Sequence, residues 1–386
     1  MSGRQAAGAL GLLLAGAAGL FLGCDARYVV GALGLVLVPG PKIGTAPIAI
    51  ALEDLDGDKA LDAAVLDAGT QLFTLHGNND ATLTTAACVQ LPEPATALGL
   101  TPLRVPDRAD LLTAGRVLTA YTAQTNLRPG DPLRYPLAGL ATSLVPAYVK
   151  CDGLTDRSAC RKDVLLSDGD AAEVAVFFAN SDGSLRGPQR YPVGAAPAAL
   201  LFADLDGDNA AELVTANLGA PMLTVLGPRG VATFSGCREG RVQPSLQKPS
   251  AVTAIDLAHD GSRVLVIADR ADASIRLLRV ARTGPFTLDC GDDEGARLPV
   301  AADPLALAIG DFDGDSSDDL VIAHGSPPAV SLLLGSSGGL GAPLVYPVDS
   351  AVRGLAVGDL DKDGRSDIVI VSSGQTTVSI LRSAFR

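Results

Sequence analysis

Four stretches of this chain place carboxylates at positions one, three, five and nine of a nine-residue segment: Asp54, Asp56, Asp58 and Asp62; Asp204, Asp206, Asp208 and Glu212; Asp311, Asp313, Asp315 and Asp319; Asp359, Asp361, Asp363 and Asp367. Four negative groups drawn into one short turn repel each other unless a hard dication sits among them, and oxygen donors on a flexible loop suit Ca²⁺. The pattern predicts a calcium ion in each of these four loops. The backbone carbonyls at position seven, those of Ala60, Ala210, Ser317 and Arg365, are the expected fifth ligands. A helix–loop–helix calcium site shares the front half of this pattern but needs a bidentate Glu at position twelve. That position holds Val65, Thr215, Ile322 and Ile370. The runs that follow, Leu-Val-Ile-Ala-His after Asp319 and Ile-Val-Ile-Val-Ser after Asp367, are β-rich rather than helical stripes. A lone copy could be a solvated acidic turn that binds nothing; four copies in one setting favour metal.

The loops must be positioned by something repetitive. They start at 54, 204, 311 and 359, and the intervals of 150, 107 and 48 are near three, two and one times a common period. Three degenerate copies fill the gaps. One starts at Pro102 and leads into Asp110-Leu111-Leu112-Thr113-Ala114; another starts at Thr155 and leads into Asp163-Val164-Leu165-Leu166-Ser167; the third starts at Asp256, keeps Asp260-Gly261 and leads into Leu265-Val266-Ile267-Ala268. A second repeated element, Leu185 to Val193 and Leu340 to Val348, each ending Tyr-Pro-Val, has a relative in Arg134-Tyr135-Pro136-Leu137. Each unit thus reads as strand, loop, strand, turn, strand, turn and a final strand ending near Tyr-Pro. Four strands are what a propeller blade needs, and the expected fold is all-β, a seven-bladed β-propeller with four-stranded blades. The last run, Thr377 to Arg382, supplies only a third strand. Leu35-Val36-Leu37-Val38-Pro39 is the expected fourth, an N-terminal strand that closes the ring on the C-terminal blade and removes an exposed edge. Length alone suggests two or three domains, but the repeat makes 34–386 one domain.

The chain resembles the FG-GAP and VCBS repeat family, known from integrin α-chain propellers and bacterial surface proteins. The resemblance rests on Leu201-Phe202-Ala203-Asp204-Leu205-Asp206-Gly207-Asp208 with Glu212-Leu213-Val214, and on Val357-Gly358-Asp359-Leu360-Asp361-Lys362-Asp363-Gly364 with Asp367-Ile368-Val369. It covers nearly everything after residue 30 and implies a seven-bladed propeller with calcium in the blade loops, specific for fold rather than function. The degenerate units depart from the pattern, and metal is not expected there. Position six, where a sharp turn favours Gly, carries it only at Gly364; Lys59, Asn209 and Ser316 stand in the other loops.

Residues 1–23 read as a leader: Arg4 precedes an apolar run from Ala6 to Gly23. Phe21-Leu22-Gly23-Cys24 resembles a bacterial lipobox, in which Cys24 is lipidated and 24–33 become a tether to the membrane; an uncleaved anchor and plain secretion are the alternatives. Asp25 after the lipidated position implies inner-membrane retention in some enteric bacteria. The resulting expectation is a lipid-anchored protein of the bacterial cell envelope. Cysteines agree with an oxidising compartment: Cys151 with Cys160, and Cys237 with Cys290, are candidate disulfides, with Cys88 left over and other pairings open. Zinc is not expected, because no Cys-x-x-Cys occurs and only His76, His259 and His324 are present. His76 and His324 lie beside strand ends and read as surface residues.

Net charge is −13, and much of it belongs to the metal loops rather than to a ligand-binding field, so nucleic acid is not an expected partner. No Gly-x-Ser-x-Gly elbow or phosphate loop is present, and no catalytic residue is assigned. Three readings of function remain. The first is a non-enzymatic, monomeric scaffold whose propeller binds a protein or polymer. The second is a sugar-binding propeller, weakened by the absence of Trp and an aromatic content of 4%. The third is a polysaccharide-acting enzyme, for which the blades leave no room for a separate catalytic domain.

Overall fold

Seven strands of six residues, Asp62–Asp67, Asp110–Gly115, Asp163–Asp168, Glu212–Asn217, Val264–Asp269, Asp319–His324 and Asp367–Ser372, are buried at every position. Each is a short apolar run whose two faces must both be covered. The computed structural model describes residues 28–29, 34–68, 70–149, 160–227, 230–234, 246–257, 263–280, 288–289 and 297–385. In it, each buried strand is the second of an antiparallel sheet whose main path has four strands; there are seven such sheets, two of them with one further short strand. Blade one spans 47–90, two 95–136, three 141–192, four 197–234, five 249–299 and six 304–347. Blade seven takes three strands from 352–383 and its fourth from Leu35–Lys42. First strands stand side by side around the ring, and Val352–Gly358 of blade seven meets Pro47–Glu53 of blade one.

The core is divided among the gaps between blades. Seven apolar clusters each join two neighbours, and the period of two along a second strand assigns its side chains alternately to them. Ala63 and Val65 thus face blade seven, while Ala64 and Leu66 face blade two. A one-residue slip would exchange the two sets, so packing at about 1.5–3 kcal/mol per buried Val or Leu fixes the register. Each of the seven first strands also shifts register after its opening residue, from Pro47/Ala49 in blade one to Val352/Gly354 in blade seven. Such bulges bend the innermost strand and increase its twist.

Ring closure follows the expected pairing. Leu35 lies opposite Ser383 and Val38 opposite Ile380, and the ladder continues beyond Pro39 to Lys42 opposite Thr377. Tyr28–Val29, within the stretch read as a tether, adds a short outer strand against Val36 and Leu37. Two β-formers there find an edge that still offers backbone partners. Cys160 is disulfide-bonded, and Cys88 is free and exposed. The leader, Cys24, Cys151, Cys237, Cys290, His259 and Asp260-Gly261 lie outside the described residues. Among the described residues no helix is long and apolar enough to cross a membrane.

Candidate metal centre

Each acidic loop joins the first strand of its blade to the buried second strand, and its backbone turns twice through the left-handed region. The residues at positions four and six are Gly57 and Lys59 (φ 90° and 70°), Gly207 and Asn209 (77° and 67°), Gly314 and Ser316 (83° and 67°), and Lys362 and Gly364 (60° and 86°). The sequence pointed to position six alone. Both positions require this conformation, and every loop meets it with one glycine and one residue that is strained there. The position-one carboxylate explains why the turn persists. Asp54 accepts the N–H of Gly57 at 2.6 Å on Oδ1 and that of Lys59 at 2.8 Å on Oδ2. Asp204 and Asp311 repeat this pair, and Asp359 takes the N–H groups of Asp363 and Gly364.

In blades one, four and six, positions three and five each use one oxygen in the same way, accepting the N–H two residues on (in blade one, Asp58 to Asp56 at 3.1 Å and Ala60 to Asp58 at 2.7 Å), whereas in blade seven only position five does. The position-seven residues Ala60, Ala210, Ser317 and Arg365 all donate their N–H to position five. With those oxygens committed, the others converge. Asp54, Asp56 and Asp58; Asp204, Asp206 and Glu212; Asp311, Asp313 and Asp315; and Asp359, Asp361 and Asp367 each bring one ligand atom apiece within 4.8 Å of one another. Asp62, Asp208, Asp319 and Asp363 stand outside those triads; Asp62 forms another with Asp56 and His76, and Asp363 is turned toward the Arg365 guanidinium at 2.5 Å. Asp361 Oδ1 is shut from solvent and receives no hydrogen bond among the described residues. A buried anionic oxygen with no donor fits a cation.

Position nine does a second job that the spacing does not reveal. Asp62 accepts Leu55 N–H and Gly77 N–H, both at 2.9 Å, and so ties the loop to the end of the third strand. Asp319 does the same with Phe312 and Gly335, and Asp367 with Leu360 and Ser383. Burial nonetheless pushes the carboxyls of Asp62 and Asp319 up to about 6 and that of Asp367 up to about 7, with neighbouring carboxylates adding to the rise. Asp313 is raised by the same causes. Asp363 is lowered, chiefly by the hydrogen bond from Arg365.

The third acidic loop lies inside the one stretch with a family match: residues 311–370 match the FG-GAP-like repeat. The fold is a seven-bladed β-propeller, and its stretch 311–370 fits an FG-GAP-like repeat. No curated protein matches the chain in sequence. Among solved structures, the propeller is similar to BBS1N in its crystal structure with ARL6DN, soaked with lead: TM-score 0.62 at 14% identity, over 91% of this chain and 96% of that one. It is also similar to a catalytically inactive virginiamycin B lyase from Staphylococcus aureus with quinupristin: TM-score 0.57 at 13% identity, over 90% and 98% of the two chains. At such identities both likenesses concern the fold alone.

Two of the degenerate loops, those of blades two and three, separate the two jobs. In blade two, Asp110 at position nine still accepts Leu103 N–H and Arg104 N–H on one oxygen and Ala123 N–H on the other. In blade three, Asp163 accepts Ala179 N–H at 2.9 Å. In blades two and three position nine is kept where positions one, three and five are lost, and that persistence was the signal for its structural role; blade five carries Val264 there. Arg104, at position three of blade two, lies 3.9 Å from Asp110 and is only 17% exposed, a fixed cation beside the retained carboxylate. His76 stands over the first acidic loop, Nδ1 3.4 Å from Asp62 and 3.6 Å from Asp56, so it belongs to the loop's surroundings rather than to a neutral surface. His324, unlike His76, is not a surface residue. It is fully buried at the end of its strand, with Nε2 2.9 Å from Ser331 Oγ and Nδ1 3.2 Å from the Ala302 carbonyl, and burial lowers its pKa.

Proposed function

We propose that this chain is a calcium-stabilised interaction scaffold of the bacterial cell envelope, lipid-anchored through Cys24, whose propeller binds a protein or polymer and catalyses no reaction. The observation that carries the reading is the convergence of carboxylate oxygens in the loops of blades one, four, six and seven, each set turned inward by backbone N–H groups. Asp54, Asp56, Asp58 and Asp62, with their counterparts in the other three loops, would hold the ions. Calcium there supplies positive charge that offsets the mutual repulsion and fixes the loops over the blade edges. A protein or polymer partner is favoured over a stacked sugar because Tyr191 is the only large aromatic among the described residues that is more than about a third exposed.

Calorimetric titration of the full chain with calcium, paired with melting curves in calcium and in EDTA, tests the metal. Up to four sites and a rise in melting temperature are expected, since an ion that binds the folded state alone stabilises it by mass action. No heat and no shift would leave four solvated acidic turns and a propeller standing on packing alone. Turnover of a surface polysaccharide would overturn the non-enzymatic half.

A further inference from the structure

Two kinds of contact hold neighbouring blades together, hydroxyl-to-carbonyl bonds from the first strands and bonds between neighbouring loops, and between blades five and six both occur, since Asp256 N–H also reaches Asp318 at 3.1 Å. In blades two, three and five, which lack the four-carboxylate pattern, the second residue of the first strand is Thr96, Thr142 or Ser250. Each hydroxyl donates to the carbonyl that opens the next blade: Thr96 to Ala141 at 2.5 Å, Ser250 to Pro304 at 2.8 Å, and Thr142 to Pro197. In blades one, four, six and seven, those with acidic loops, the same position holds Ile48, Ala198, Leu305 and Arg353, and the hydroxyl is gone. At two of these junctions a loop-to-loop bond makes the connection: Ala109 N–H of blade two donates to the Asp54 carbonyl of blade one at 2.8 Å. Ser366 N–H of blade seven donates to the Asp311 carbonyl of blade six at 2.6 Å.

The seam of the ring lies in this acidic arc. Ser383, which faces Leu35 across the closing ladder, gives its N–H to Asp367 at 2.9 Å and its hydroxyl to the Phe312 carbonyl in the loop of blade six. Phe312 N–H is in turn held by Asp319 at 2.8 Å. One residue further on, Ala384 N–H reaches the Gly34 carbonyl at 2.6 Å, and the Arg365 guanidinium joins Asp363 to the Phe385 carbonyl. Two acidic loops and both seam strands are therefore one hydrogen-bonded unit, whereas blades two and three are joined by a neutral hydroxyl that no metal touches.

We propose that ring closure is gated by calcium. The seam between Leu35–Lys42 and Thr377–Ser383 stays shut while the loops of blades six and seven are loaded, and it opens first when they are emptied. Blades two and three keep their packing through the same change. This rests on the calcium reading above. Emptied loops leave clustered carboxylates to repel one another beside the seam, and local opening follows the least stable unit.

Hydrogen exchange of the full chain, read by mass spectrometry across a series of calcium buffers ending in EDTA, decides it. Exchange in 35–42 and 377–383 should accelerate about tenfold or more before 95–101 and 141–147 change by about threefold. Equal acceleration everywhere, or one concerted unfolding step, would overturn the gate. Thr142→Val, which leaves every acidic loop intact, should make 141–147 sensitive to EDTA; no change in that variant would overturn the role given to the hydroxyls. Calorimetry on the same sample separates the two levels. Absence of calcium binding removes the metal reading and the gate together, while binding with uniform protection removes the gate alone.

Discussion

Asp367 receives two backbone N–H groups, which favour its ionised form, and still its carboxyl is pushed up to about 7, because burial and the facing Asp361 and Asp363 outweigh them. Asp62 and Asp319 reach about 6 by the same balance. A carboxyl raised above its ordinary value of 3.8 binds its proton better folded than unfolded. The stability it contributes is full in acid and is lost as pH rises through the folded value. In EDTA the melting temperature should therefore fall between about pH 4 and pH 7; in saturating calcium, which competes with the proton for the same oxygens, the fall should disappear. A decline of equal size in both buffers would count against metal in these loops. Residue type and spacing were enough to find Asp367, yet they did not reveal its clamp on Ser383, which lies 16 residues away on another strand. His324 was misread for a related reason: a histidine at a strand end is polar by type, and its burial depends on Ala302 and Ser331 arriving from elsewhere.

At the level of the loop, each turn contains one residue held in a left-handed conformation without the freedom of glycine. Ser316 (φ 67°) is such a residue, beside Gly314 (φ 83°). Ser316→Gly should relieve up to about 1 kcal/mol of strain, partly offset by the greater freedom of the unfolded chain, while Gly314→Ala should lose about 1–2 kcal/mol. Thermal melts of both variants in calcium check the sign, and a Gly314→Ala variant as stable as the parent would remove the argument. Strand alternation, the Tyr-Pro ends and the repeat interval were legible in the sequence because each is a local pattern repeated by every blade. Position four was not, since Gly57, Gly207 and Gly314 look like part of the acidic string rather than a second turn. The hydroxyls of Thr96, Thr142 and Ser250 escaped for another reason: their partners belong to the next blade, and a single threonine near a proline carries no mark of that.

Over the whole ring, the family match covers only 311–370, although all seven blades share one topology. Blades two, three and five keep the buried second strand without the full set of four carboxylates, so packing preserves the architecture where the motif has decayed. The number of blades and the closing strand could be read from the interval between loops and from an unpaired third strand at the end. How blades are joined could not, because that differs from gap to gap. One consequence lies in the contact between Gly34 and Ala384, whose backbones are hydrogen-bonded neighbours at the two ends of the ring. A peptide ligated between them would turn the propeller into a covalent circle with little distortion of the fold. The seam strands could then no longer part at their ends, and the unfolded chain would lose about 6 kcal/mol of conformational freedom. Such a circular form should melt higher than the linear one in EDTA and gain much less from added calcium, so that the ion's contribution could be measured as that of a fastener made redundant.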